Sequence, residues 1–135
     1  MSTTVGPEVP DVVELRLPAD PAYLAVLRTA TAGLAARLDF TLDEIEDLRI
    51  AVDEACAMLL PDVVPDGGLV CRFELTGDGL AVAVTAPTRT GRPPARDNFA
   101  WTVLAALAGD VDAVVDAGHR VTVTLRKQRG VPGAA

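Results

Sequence analysis

Residues 47 to 60, "DLRIAVDEACAMLL", set two adjacent acids, Asp53 and Glu54, in a largely apolar run, with Met58 one helical turn beyond Glu54. A carboxylate placed like Glu54 has two uses. It can take a proton from an attacking hydroxyl as a general base, or it can sit as a solvated acid on a helix face. Asp53 points about 100° away from Glu54 around a helix and reads as a surface acid. Cys56 and Cys71 fit no metal-ligand spacing and read as buried core thiols rather than a disulfide. Arg89, Arg92 and Arg96 crowd one segment, as phosphate clamps or as solvating groups. His119 has no chemical partner near it in sequence.

The sequence marks out the elements that must hold these groups. "DVVELRL" alternates Val13, Leu15 and Leu17 with Glu14 and Arg16, the period of a strand with one wet face, and stops at Pro18. "PADPAYLAVLRTATAGLAARL" places Leu24, Leu27, Leu34 and Leu38 on one side of a helix, with Asp20 as N-cap and Pro21 at the first helical position. Gly33 weakens that helix, and a close packing contact there would explain it. In the second helix Thr41 caps and Glu44 reaches back to form a capping box. An apolar stripe of Leu42, Ile45, Leu48, Val52, Ala55 and Leu59 follows, ending at Pro61.

"GLVCRFEL" and "GLAVAVTA" flank "TGDG", a hairpin in which Asp78-Gly79 takes up the positive φ of a tight primed turn. "PTRTGRPPARD" is a loop long enough to suspect a functional origin. "NFAWTVLAALAG" is a third helix capped by Asp97 or Asn98, whose Phe99 and Trp101 either pack against the sheet or fill a pocket. "VDAVV" and "RVTVTLRK" close the chain as strands joined at Ala117-Gly118-His119. The order β-α-α-β-β-loop-α-β-β does not alternate as a parallel α/β fold would. It predicts an α+β two-layer sandwich, a mostly antiparallel mixed sheet with helices on one face.

At 135 residues, half of them apolar, the chain has the size of one domain with one substantial core. Residues 1–10 read as a flexible leader, 11–127 as a single domain and 128–135 as a flexible tail. There is no apolar run long enough to cross a bilayer and no basic-then-apolar leader, so the expected location is cytoplasmic. A formal charge of −7 without a Lys/Arg cluster argues against direct nucleic-acid binding and for a basic protein partner. The acids of the second helix, Asp43, Glu44, Glu46, Asp47 and Asp53, are either a solvated face or the complement of such a partner.

This element order, together with "EDLRIAVDEAC" in the second helix, resembles the anti-sigma-factor serine kinases of the RsbW type over residues 11 to 127. These are members of the GHKL superfamily of histidine-kinase-like ATPase domains, so the resemblance implies a GHKL, Bergerat-like sandwich. In that family the second helix carries a Glu, the general base on the attacking hydroxyl, and four residues later an Asn whose oxygen ligates the Mg²⁺ bridging the ATP phosphates. Glu54 stands at the first position and Met58 at the second, where a soft thioether is a poor ligand for a hard cation. After the strand "LAVAVTA" the family has an Asp that recognises the adenine amino group and then a Gly; Ala86 and Thr88 take those places, and Ala cannot accept that bond. The family's Gly-x-Gly lid corresponds to Asp97, Asn98, Phe99 and Ala100, whose side chains disfavour phosphate. "NFAW" is also similar to the Phe-x-Trp pattern of a divergent actinobacterial branch.

The resemblance implies an anti-sigma regulatory factor, a homodimer, that sequesters an alternative sigma factor until a STAS-type anti-sigma-factor antagonist competes for it, with no nucleic-acid or membrane contact. Glu54 would be a remnant general base, and Met58, Ala86, Thr88 and Ala100 would mark lost ATP and Mg²⁺ contacts, so no cofactor and no metal are expected. One alternative is an active serine kinase using ATP and Mg²⁺, with Glu54 as base. A second is a non-catalytic GHKL-like binding domain serving other regulators.

Overall fold

Alternating apolar residues make the strands, and their pairing arranges the inward side chains in rows. The computed structural model describes residues 9–130. In it β1 (Asp11–Pro18), β2 (Gly68–Leu75), β3 (Gly79–Pro87), β4 (Asp110–Val115) and β5 (Arg120–Gln128) form one sheet in the order β1-β2-β3-β5-β4. Every pairing is antiparallel. The register sets Phe73 opposite Val82 and Val82 opposite Leu125, then Cys71 opposite Val84 and Val84 opposite Val123, all fully buried. The other face of the sheet carries the Arg72–Glu74 pair and a Thr85–Thr122 hydroxyl contact of 2.7 Å.

Three helices cover the inward face: α1 (Leu24–Arg37), α2 (Leu42–Leu59) and α3 (Phe99–Ala108). The start of α2 is fixed by its capping box, in which Thr41 Oγ1 accepts from the Glu44 N–H at 3.1 Å and Glu44 Oε1 accepts from the Thr41 N–H at 2.8 Å. It buries Leu48, Ala51, Val52, Ala55, Cys56 and Leu59. Each fully buried Leu or Val there contributes about 1.5–3 kcal/mol. Leu42, expected in this stripe, is 85% exposed, because at the first helical position it precedes the turn that meets the core.

Several local expectations are altered by tertiary contacts. On α1 the buried line is Leu27, Thr31 and Ala35, with Leu24, Leu34 and Leu38 at its margins. The Thr31 hydroxyl donates to the Leu27 carbonyl at 2.8 Å, which satisfies it inside the core. Asp20 caps the tight turn Pro21–Tyr23 that leads into α1. Asp53 is no free surface acid: Arg28 donates to both its oxygens, at 2.9 and 3.1 Å, and ties α1 to α2.

In the β2–β3 hairpin neither Asp78 nor Gly79 takes positive φ; Thr76–Gly79 form a wider loop closed by the Thr76 N–H on the Gly79 carbonyl at 3.0 Å. The expected tail begins as ordered chain, with Gln128 in β5, Arg129 donating to the Leu38 carbonyl and the Gly130 N–H to Glu44. Residues 131–135, and the expected leader up to residue 8, lie outside the described residues. No helix among the described residues is long and apolar enough to cross a membrane.

Two substitutions probe these elements. A Cβ at Gly33 would meet nothing within 4 Å, so packing does not require glycine there. Gly33→Ala should therefore stabilise the fold by roughly 0.4–1 kcal/mol in urea unfolding; an unchanged midpoint would show that the helical accounting is wrong. Bonds from the Thr41 backbone hold the Glu44 carboxyl below its ordinary 4.5. The folded state then binds fewer protons than the unfolded one, so this contribution is complete above that value and is lost as pH falls through the lowered native one. Glu44→Gln keeps the cap but removes the titration, and its melting temperature should fall less steeply on acidification than that of the parent.

Candidate functional site

Pro61 ends α2, and the tight turn Leu60–Asp62 carries the chain back to the sheet. Val63 then bridges Thr88, and the Val64 N–H donates to the Pro87 carbonyl at 3.0 Å. The end of β3 is thus bound beside the segment that follows Met58. Packing of α2 against β3 and α3 brings the elements bearing Glu54, Met58, Ala86, Thr88 and Ala100 together at this end of the fold.

The individual side chains are placed very differently. Glu54 is half-exposed, and the neighbouring ion pair with Arg28 is made by Asp53 instead. Met58 packs against the core, and Ala86 is wholly buried. Thr88 is 5% exposed; its hydroxyl donates to the His119 carbonyl at 2.6 Å and accepts from the Gly91 N–H at 3.0 Å. Ala100 lies in the first turn of α3, whose cap is Asn98, with Oδ1 accepting from the Trp101 N–H at 2.9 Å. Among the described residues no three side chains of the metal-ligating types gather. Cys56 and Cys71 are free and buried, and burial pushes both thiols up to about 12.

The loop between β3 and α3 is tied to the body through two acids, Asp62 and Asp112, that the sequence did not single out. Asp62 accepts from the Thr90 N–H and hydroxyl and, through its carbonyl, from the Arg89 N–H at 2.9 Å. Arg89 lies 3.8 Å from the Asp62 carboxylate. Arg96 donates to Asp112 at 2.9 Å and to the Ala113 carbonyl at 3.2 Å, and stacks 4.7 Å from the centre of the Trp101 ring. Two of the three loop arginines are therefore paired with acids rather than left to solvate the loop. That Arg96 bond holds the Asp112 carboxyl below its ordinary value.

Phe99, expected against the sheet or in a pocket, is 82% exposed, while Trp101 is 9% exposed. His119 proves structural: at φ +61 it presents its carbonyl to Thr88 and its ring to Gly91. No sequence signal joins Asp62 or Asp112 to arginines and threonines that only the fold brings near.

No family model matches the sequence. The chain is 35% identical over 123 residues to the anti-sigma-F factor RsbW of Mycobacterium tuberculosis, covering 87% of this chain and 73% of that protein. It is 39% identical over 87 residues to the serine-protein kinase RsbW of Bacillus velezensis, covering 62% of this chain and 51% of that one. Against the serine-protein kinase RsbW of Bacillus subtilis it is 39% identical over 77 residues, covering 55% and 48%. The chain therefore spans about half the length of these Bacillus relatives. The crystal structure of RsbU and RsbW domains from Mycobacterium tuberculosis superposes with a TM-score of 0.71 at 19% identity, covering 90% of this chain and 33% of that one, a likeness of fold.

Thr88→Val keeps the shape of the β3 end but leaves the Gly91 N–H without its acceptor. The cost should be about 1–3 kcal/mol in denaturant unfolding. A neutral effect would show that the hydroxyl does not hold the loop.

Proposed function

The chain belongs to the RsbW family of anti-sigma factors and serine-protein kinases, and from that premise we propose that it sequesters an alternative sigma factor and releases it when a STAS-type anti-sigma-factor antagonist competes. The observation that carries this reading is the 35% identity to an anti-sigma-F factor over 87% of this chain and 73% of that protein. The charge fits a basic partner surface. Of the acids on α2, Glu44 is engaged by Thr41 and Gly130, Asp47 lies 3.8 Å from Lys127, and Asp53 is bound by Arg28. Glu46 is paired with Arg49 at 3.2 Å, and Asp43 faces outward, where it would steer association at low salt. The working form on this reading is a cytoplasmic homodimer.

On the same premise the nucleotide site is degenerate. Met58 is engaged in the core, Ala86 offers no side-chain acceptor, and the Thr88 hydroxyl is already bonded on both sides. Side chains stand at Asn98, Phe99 and Ala100, where glycines would let backbone N–H groups approach phosphates. Partner exchange would then run on competing affinities or on modification by another protein. One observation favours a second reading, a working ATP- and Mg²⁺-dependent serine kinase: Glu54 is half-exposed and outside the Arg28–Asp53 pair, which leaves a carboxylate placed to accept a proton.

Two measurements on the whole chain separate the readings. The binding reading expects a sigma factor to co-purify, and calorimetric titration with ATP and Mg²⁺ to give neither heat nor a thermal shift. Magnesium-dependent ATP binding, with phosphate transfer to the antagonist abolished by Glu54→Gln, would instead establish the kinase. Recovery of neither sigma factor nor antagonist would assign the domain to a different regulator.

A further inference from the structure

The loop between β3 and α3 is fastened unequally at its two ends. We propose that its α3 end is a salt-sensitive latch, closed by Arg96, whose release uncovers Trp101 and frees the outer edge of β4. At the β3 end the fastening is redundant. Thr88 bonds the His119 carbonyl through both its N–H and its hydroxyl, Gly91 bonds Thr88, and Arg89 and Thr90 bond Asp62. Gly91, at φ +67, lies against the His119 ring so closely that an added Cβ would fall 2.7 Å from it.

At the α3 end Asn98 caps the helix itself, and among the described residues Arg96 is the one side chain that ties the loop to the sheet. Arg96 holds Asp112, caps the Ala113 carbonyl on β4, which is an edge strand of the sheet, and stacks on Trp101. A single arginine thus covers an aromatic ring and blunts a strand edge. Trp101 is buried yet stands apart from the main core cluster, so the core does not hold this cover in place. The Arg96 and Asp112 side chains are 54% and 53% exposed, and a pair so open to water is screened by salt.

Between the two anchors runs Arg92-Pro93-Pro94-Ala95. Consecutive prolines stiffen this stretch, so it lifts as one piece about Gly91 when Arg96 lets go. The latch rests on these contacts alone and does not depend on the identity of any partner.

Trp101 is the only tryptophan, so its fluorescence reads the latch directly in the full chain. Arg96→Ala should raise acrylamide quenching of Trp101, and hydrogen exchange at residues 92–98, by at least about threefold. Added sodium chloride should do the same to the parent and much less to the variant. Asp112→Asn, which removes the ion pair but leaves the stacking, should fall between them. Equal quenching and exchange in parent and Arg96→Ala would overturn the latch. Faster exchange spreading through Thr88–Gly91 would also overturn it, since it would mark general loosening instead.

Discussion

α2 lies on the sheet through Ala51, Val52, Ala55 and Cys56, all wholly buried, and the small side chains among them let its axis approach closely. The other two helices depend on that approach, because α1 and α3 pack on the flanks of α2. A larger residue at Ala51 or Ala55 would lift α2 and separate both neighbours from the strands they cover. The same approach sets the end of α2 beside the end of β3, where the residues of the candidate site lie.

Polar groups fix the angles that apolar contact leaves free. Arg28 and Asp53 join α1 to α2. Lys127 stands opposite Leu80 in the sheet register, on the helix-covered side, and its ammonium donates to the Leu107 carbonyl at 2.9 Å while lying 3.8 Å from Asp47. One cation therefore touches β5, α3 and α2 together. Arg129 and Gly130 add bonds to the Leu38 carbonyl and to Glu44, drawing the chain after β5 against the turn between α1 and α2. Such partly exposed ties contribute modestly to stability.

What could be read from sequence was what local chemistry decides. The capping box of Thr41 and Glu44, the pairing of β2 with β3 across a short turn, and the order of the elements all follow from residues within a few positions of one another. The site was legible only as aligned positions: spacing put Glu54 and Met58 on one helical face, but said nothing of Met58 packing into the core. Arg96 meets Asp112 and Trp101, and Arg28 meets Asp53, through the fold, and neither periodicity nor composition carries that information. The exposure of Leu42 and Phe99 was hidden for a related reason, since an apolar residue in the first turn of a helix belongs to its stripe by spacing while lying beyond the end of the core.

Cys56 on α2 and Cys71 on β2 face the same interior, and neither is solvent-exposed. Because the thiolate is the reactive species, groups raised to about 12 and shut away from water are nearly inert to alkylation and oxidation in the folded chain. The native protein therefore behaves toward thiol reagents as though it contained no cysteine. A single cysteine introduced on its surface would be the one labelled position, so a fluorophore or spin label could be attached there without first removing either core residue.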